Sequence, residues 1–116
     1  MSIVNFINKL FMSNKVDFIP SEFIIANQKI KIIIKDKGEQ FGLWDSLRNE
    51  ITLYLEVKDD DTNTYVTQTK GQLMSTYWHE LFHCFNFFYN TECSEELAQS
   101  FSNLMCQYEA TKIYNT

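Results

Sequence analysis

The chain is poor in residues that interrupt regular structure, with a single Pro and three Gly among 116 residues. Helices and strands are therefore expected to occupy most of it. Cysteine is scarce and odd in number: Cys84, Cys93 and Cys106 fit no disulfide framework. That excludes a small cross-linked secreted scaffold and points to a reducing compartment. No stretch approaches the ~18 apolar residues that a membrane span needs. Residues 1–15 carry neither a basic leader nor a small-residue cleavage site, so a cytoplasmic protein without a membrane partner is expected. Positive charge is also lacking, the net charge being −5, whereas non-specific binding to phosphates requires clustered Lys and Arg. Lys29, Lys31, Lys35 and Lys37 alternate with Ile30, Ile32 and Ile34, which reads as the solvated face of a strand. No nucleic-acid partner is expected.

What is abundant is aromatic: ten Phe, six Tyr and two Trp, which supply the burial that a small domain needs for a core. The length suits a single domain over residues 1–116. Ile3, Phe6, Ile7, Leu10 and Phe11 recur at helical spacing and predict a short amphipathic helix over Ser2–Ser13. Strands are expected to begin around Phe23–Ala26, over Ile30–Lys35 and around Gln40–Trp44. The clearest is Glu50–Val57, where Ile51, Leu53, Leu55 and Val57 alternate with polar or amphipathic residues. The turn Asp45–Asn49 suggests that the last two form an antiparallel hairpin. Asp59–Thr64 is acidic but lacks the ligand alternation, central Gly and final Glu of a calcium loop, and is read as a solvated loop.

Thr69 and Gln72 have capping-box spacing, and Leu73, Tyr77, Leu81, Cys84, Phe85 and Phe88 follow at helical intervals, predicting one helix over Gly71–Tyr89. Ser94 can cap a second helix that carries Glu95 and Glu96 in its first turn. Leu97, Phe101, Leu104, Met105 and Tyr108 are expected to be its buried stripe. Trp44, Trp78, Cys93 and Cys106 are read as packing residues rather than as parts of a site.

The first of these helices contains His79-Glu80-Leu81-Phe82-His83. Two histidines four residues apart project from one face, about one turn from each other, so that both imidazoles can reach one metal ion. Glu80 then stands within reach of a water on that metal. A catalytic zinc site takes three protein ligands, and the following helix offers two carboxylates. With Phe101 at the middle of its buried face, Glu95 falls on the shoulder occupied by the small residues Ala98 and Ser102, which permit close approach of a neighbour. Glu96 falls on the opposite shoulder with Ser100, Asn103 and Gln107. Glu95 is the preferred third ligand and Glu96 the alternative.

The segment His79–His83 followed by Glu95-Glu96-Leu97-Ala98-Gln99-Ser100-Phe101 resembles the zincin metallopeptidases of the gluzincin kind. It is most similar to the small ImmA/IrrE-like and phage-encoded members, over Leu73–Met105. Phe41–Asp45 and Asn49–Ile51 are more loosely similar to the strand pair that precedes the active-site helix in such proteins. The resemblance implies one zinc ion per chain, held by His79, His83 and Glu95, with Glu80 as general base toward a zinc-bound water. It also implies hydrolysis of peptide bonds in an intracellular protein substrate, in the host cytoplasm for a phage-encoded chain. Gln99 stands where the family usually has Asn or Asp, and Phe82 where many members have Gly. No oxyanion-stabilising residue is assigned; Tyr77, Tyr89 and Tyr108 are near in the chain.

The expected fold is α+β: an amino-terminal helix, a small mostly antiparallel sheet, then the helix bearing the histidines and a carboxy-terminal glutamate helix. The expected activity is that of a zinc metalloendopeptidase, with a further protein partner as a source of selectivity. The alternative is a catalytically inactive zinc-binding interaction module, or a phage structural or regulatory protein with a peptidase-like fold.

Overall fold

The computed structural model describes residues 18–89, 94–111 and 113. The helix expected over Ser2–Ser13 lies outside these residues, as does Cys93. The elements in chain order are β1 (Glu22–Ile25), β2 (Gln28–Gly38), β3 (Gly42–Asp45), β4 (Glu50–Asp59), β5 (Thr64–Thr67), α1 (Lys70–Tyr89) and α2 (Glu95–Thr111). The architecture is α+β, a five-stranded mixed sheet with two helices among the described residues.

Local chemistry accounts for most of the boundaries. β1 and β2 are joined by Ala26 and Asn27, both at positive φ (50° and 60°). This is the two-residue turn whose twist suits an antiparallel pair. The turn between β3 and β4 is held by Asp45, whose Oδ1 accepts from the amides of Leu47 (3.0 Å) and Arg48 (3.3 Å), and it ends on Asn49 at φ 53°. α1 opens with a reciprocal capping box. The Gln72 amide donates to Thr69 Oγ1 (3.1 Å), and the Thr69 amide donates to Gln72 Oε1 (2.8 Å). Ser94 Oγ accepts from the Leu97 amide (3.1 Å) and caps α2.

Three of the four strand pairings are antiparallel, but the central one, β2 with β4, is parallel. The strand order β1-β2-β4-β3 explains this. β3 folds back on β4 through the Asp45 turn and occupies its far edge, so β4 enters the sheet beside β2 in the same sense. β5 begins where the acidic loop Asp59–Thr64 ends, in a segment for which the sequence predicts no strand, and pairs with Glu56–Asp59 on the edge of β4 that β3 also uses. Its Tyr65 and Val66 are exposed, which is why no buried alternation announced it.

The core forms between one sheet face and α1. Ile30, Ile32, Ile51, Leu53 and Leu55 meet Leu73, Tyr77, Leu81 and Cys84, and Lys29, Lys31, Lys35 and Lys37 stand on the exposed side of β2. Burial pushes the Tyr77 phenol and the Cys84 thiol each up to about 12, so both stay protonated and inert at neutral pH. α2 corrects the expected stripe. Its buried residues are Ala98 and Ser102, whereas Leu97, Leu104 and Tyr108 are exposed. Small side chains bring the two helices close: Ser102 Oγ donates to Ser75 O (2.7 Å) and lies 2.7 Å from Ser75 Oγ. Phe101 packs its ring on Phe82 and Trp78.

β3 is pressed against α1 at Gly42. A Cβ there would stand 2.7 Å from Thr76 Cγ2 and 3.1 Å from both Leu53 Cδ2 and Thr52 O. Thr76 cannot easily turn away, because its hydroxyl lies 2.9 Å from Gln68 Oε1 and 3.0 Å from Gln72 O. Gly42→Ala is therefore expected to cost about 1–3 kcal/mol of stability by denaturant titration. Thr76→Ser, which removes the methyl and keeps the hydroxyl, should recover part of that loss in the double variant. An unchanged midpoint in Gly42→Ala would show that β3 does not sit this close to the helix.

Candidate metal centre

The faces of α1 divide among three neighbours. Leu73, Tyr77, Leu81 and Cys84 face the sheet, Ser75, Trp78 and Phe82 meet α2, and Thr76 and Glu80 lie toward β3. His79 and His83 occupy the remaining strip, between α2 and β3, which forms the floor of a cleft of about 980 Å³. β3 and the segment before it, including Gln40 and Phe41, form one wall, and Glu95 and Gln99 of α2 stand at the other.

Within the cleft the structure brings together His79, His83 and Glu95. Nε2 of His79 is 2.9 Å from Glu95 Oε2, Nε2 of His83 is 3.1 Å from Glu95 Oε1, and the two nitrogens are 3.2 Å apart. A tetrahedral ion bonded at ~2.0–2.1 Å separates its ligand atoms by about 3.3–3.4 Å, so the three side chains need only move apart by a few tenths of an ångström to admit one. The donor set, two imidazole nitrogens and a carboxylate, is of the kind that zinc accepts while keeping a fourth position free. Burial, the largest influence on His83, holds its pKa below the ordinary imidazole range, and the neutral ring is the form that binds metal. Glu96 is exposed and is not part of the group.

Glu80 lines the same cleft, next to His79 on the β3 side. Burial raises its pKa above the ordinary carboxylate value, and the negative charge of Glu95 acts in the same direction. The neighbouring His79 and a hydrogen bond from the Trp44 backbone amide pull it back down. The result is a carboxyl of strengthened basicity held by a main-chain donor of β3.

Two parts of the cleft carry no signal that local patterning detects. Gln68, 3% exposed, donates through Nε2 to Tyr54 O (2.6 Å) and Phe41 O (3.2 Å), and its Oε1 lies against Thr76. It ties the start of β3 to β4 and to α1 from a position just outside any periodic element. Trp44 contributes its backbone amide, which no side-chain pattern reveals, while its ring packs on Phe87 and Phe88. Gln99 lines the cleft with its amide donating to Asn103 Oδ1 (3.0 Å) on its own helix, so it is engaged along α2 rather than with a histidine.

Comparison with known proteins returns no match: no protein-family model, no curated protein and no solved structure matches the chain. The assignment of the centre therefore stands on the geometry and on the residues themselves.

A competition titration against a chromophoric chelator is expected to find about one zinc per chain. His83→Ala and Glu95→Ala should each weaken binding by more than the ~10–100-fold that follows loss of a residue merely supporting a ligand. Glu96→Ala should bind as the wild type does. Full affinity in Glu95→Ala would remove that carboxylate from the centre.

Proposed function

We propose that the chain is a zinc-dependent metallopeptidase with a zincin-like arrangement, cutting interior peptide bonds of a protein substrate. The observation that carries this reading is the convergence of His79 Nε2, His83 Nε2 and a Glu95 carboxylate oxygen, with a half-buried Glu80 carboxyl beside them in one open cleft. The resemblance of His79–His83 and Glu95–Phe101 to gluzincin metallopeptidases supports it. Zinc held by the three ligands would act as a Lewis acid on a peptide carbonyl and lower the pKa of water toward ~7.

The chain's own residues account for the rest. Glu80, half-buried and for that reason more basic than an ordinary carboxylate, takes up the proton of the attacking water and delivers it to the departing amine. The Trp44 amide keeps that carboxyl oriented. β3 lies at the edge of the sheet order with β4 as its partner, and its other edge offers backbone groups to an extended substrate segment.

One observation favours a second reading, a zinc-holding interaction module that grips protein without cutting it. Among the described residues lining the cleft there is no Tyr, Arg or Lys and no third His to stabilise a developing oxyanion. Tyr77 belongs to the core, and neither Tyr89 nor Tyr108 lines the cleft. Glu80→Gln separates the two readings, since the change preserves volume and leaves all three ligands in place. Zinc content should be unchanged, and hydrolysis of an unfolded protein substrate should fall by about 10²–10⁴-fold. Equal cleavage by both forms would contradict the role of Glu80. Retention of zinc with no cleavage by the wild type would select the interaction module.

A further inference from the structure

Phe87 follows His83 by four residues and lines the same cleft. It is 54% exposed although its ring meets Trp44 edge-on at 6.0 Å and Phe88 at 5.2 Å. Its place on the helix puts it about 6 Å beyond His83 along the axis, the length of roughly two residues of an extended chain. One side of the aromatic ring thus braces Trp44, and the remainder faces open space at peptide distance from the metal ligands. The charge of the lining is equally one-sided. Among the described residues of the cleft the only ionisable side chains are His79, Glu80, His83 and Glu95, with no Lys or Arg, in a chain of net charge −5.

We propose, building on the peptide-cutting reading above, that Phe87 with Trp44 forms a subsite for one bulky apolar side chain about two residues from the reacting bond. The occupant is an extended, internal polypeptide segment free of acidic residues around that bond. The physical reasons are separate. An apolar side chain laid on the open part of Phe87 removes both surfaces from water. An Asp or Glu laid against Phe87 gives up hydration on the side of the cleft that holds Glu80, with no Lys or Arg among the described lining residues to pair with it. An internal segment is specified because the described lining residues include no Lys or Arg to pair with a terminal carboxylate.

The test is capture and cutting of one pool of end-blocked random peptides by the zinc-loaded protein, read by mass spectrometry. Glu80→Gln protein, which holds peptide without turnover, should retain peptides enriched about tenfold in Phe, Leu, Met or Trp at one position and depleted in Asp and Glu. Phe87→Ala in the same background should lose the apolar enrichment while binding the same amount of zinc. Phe87→Lys should instead admit acidic residues. A purely bracing role for Phe87 would weaken capture of all peptides alike and leave their composition unchanged, which would overturn the proposal. Capture of no peptides, or of acidic ones as freely as others, would do the same. The cutting arm judges the peptidase reading by itself: uncut peptides with a selective captured pool mean that the subsite stands and the catalysis does not.

Discussion

Because successive residues of an α-helix are turned by about 100°, a single helix can serve a core, a neighbouring helix and an edge strand at once, and the structure depends on α1 doing so. Its apolar strip is buried on the sheet by Leu73, Tyr77, Leu81 and Cys84. This anchors the helix and thereby fixes the direction of every other side chain on it. Ser75, Trp78 and Phe82 then meet α2, Thr76 and Glu80 face β3, and His79 and His83 are left between these neighbours. The cleft is the space that remains once the other strips are covered. Its width is set by two close approaches, Gly42 against Thr76 on one side and Ser102 against Ser75 on the other.

Those close approaches use small residues, which explains what could and could not be read from the chain. The helix carrying the histidines, the capping residues Thr69 and Ser94 and the β3–β4 hairpin are all encoded within a few residues of themselves, and local patterning exposes them. The side of α2 that meets α1 was legible through Phe101 and the small residues Ala98 and Ser102. Leu97, Leu104 and Tyr108 pointed elsewhere, since they lie on the exposed face. Hydrophobic periodicity shows that a stripe exists. It does not say whether close packing through small side chains has claimed a different one.

Sheet pairing is the other part that escaped. The parallel contact of β2 with β4 joins residues such as Ile32 and Ile51, and no local signal states which strand a hairpin will dock beside. β5 is short, exposed and polar at its ends, so it lacks the alternation by which β4 was recognised. Gln68 also falls in this class, a buried amide between elements whose value lies wholly in the three backbone and side-chain groups it joins. The backbone donor on Glu80 has the same character, since Trp44 reaches the site through its amide and not through its ring.

Electrostatically the centre combines two imidazoles, one of them held neutral by burial, with a carboxylate at its mouth and a second, more basic carboxyl at its side. The arrangement is what a three-ligand zinc site with an adjacent proton acceptor requires. X-ray absorption at the zinc edge of the zinc-loaded protein tests that account most directly. It predicts a shell of about four nitrogen and oxygen ligands at ~2.0–2.1 Å with the outer scattering of two imidazoles. A sulfur shell at ~2.3 Å, or an oxygen shell without imidazole scattering, would place the metal elsewhere and contradict it.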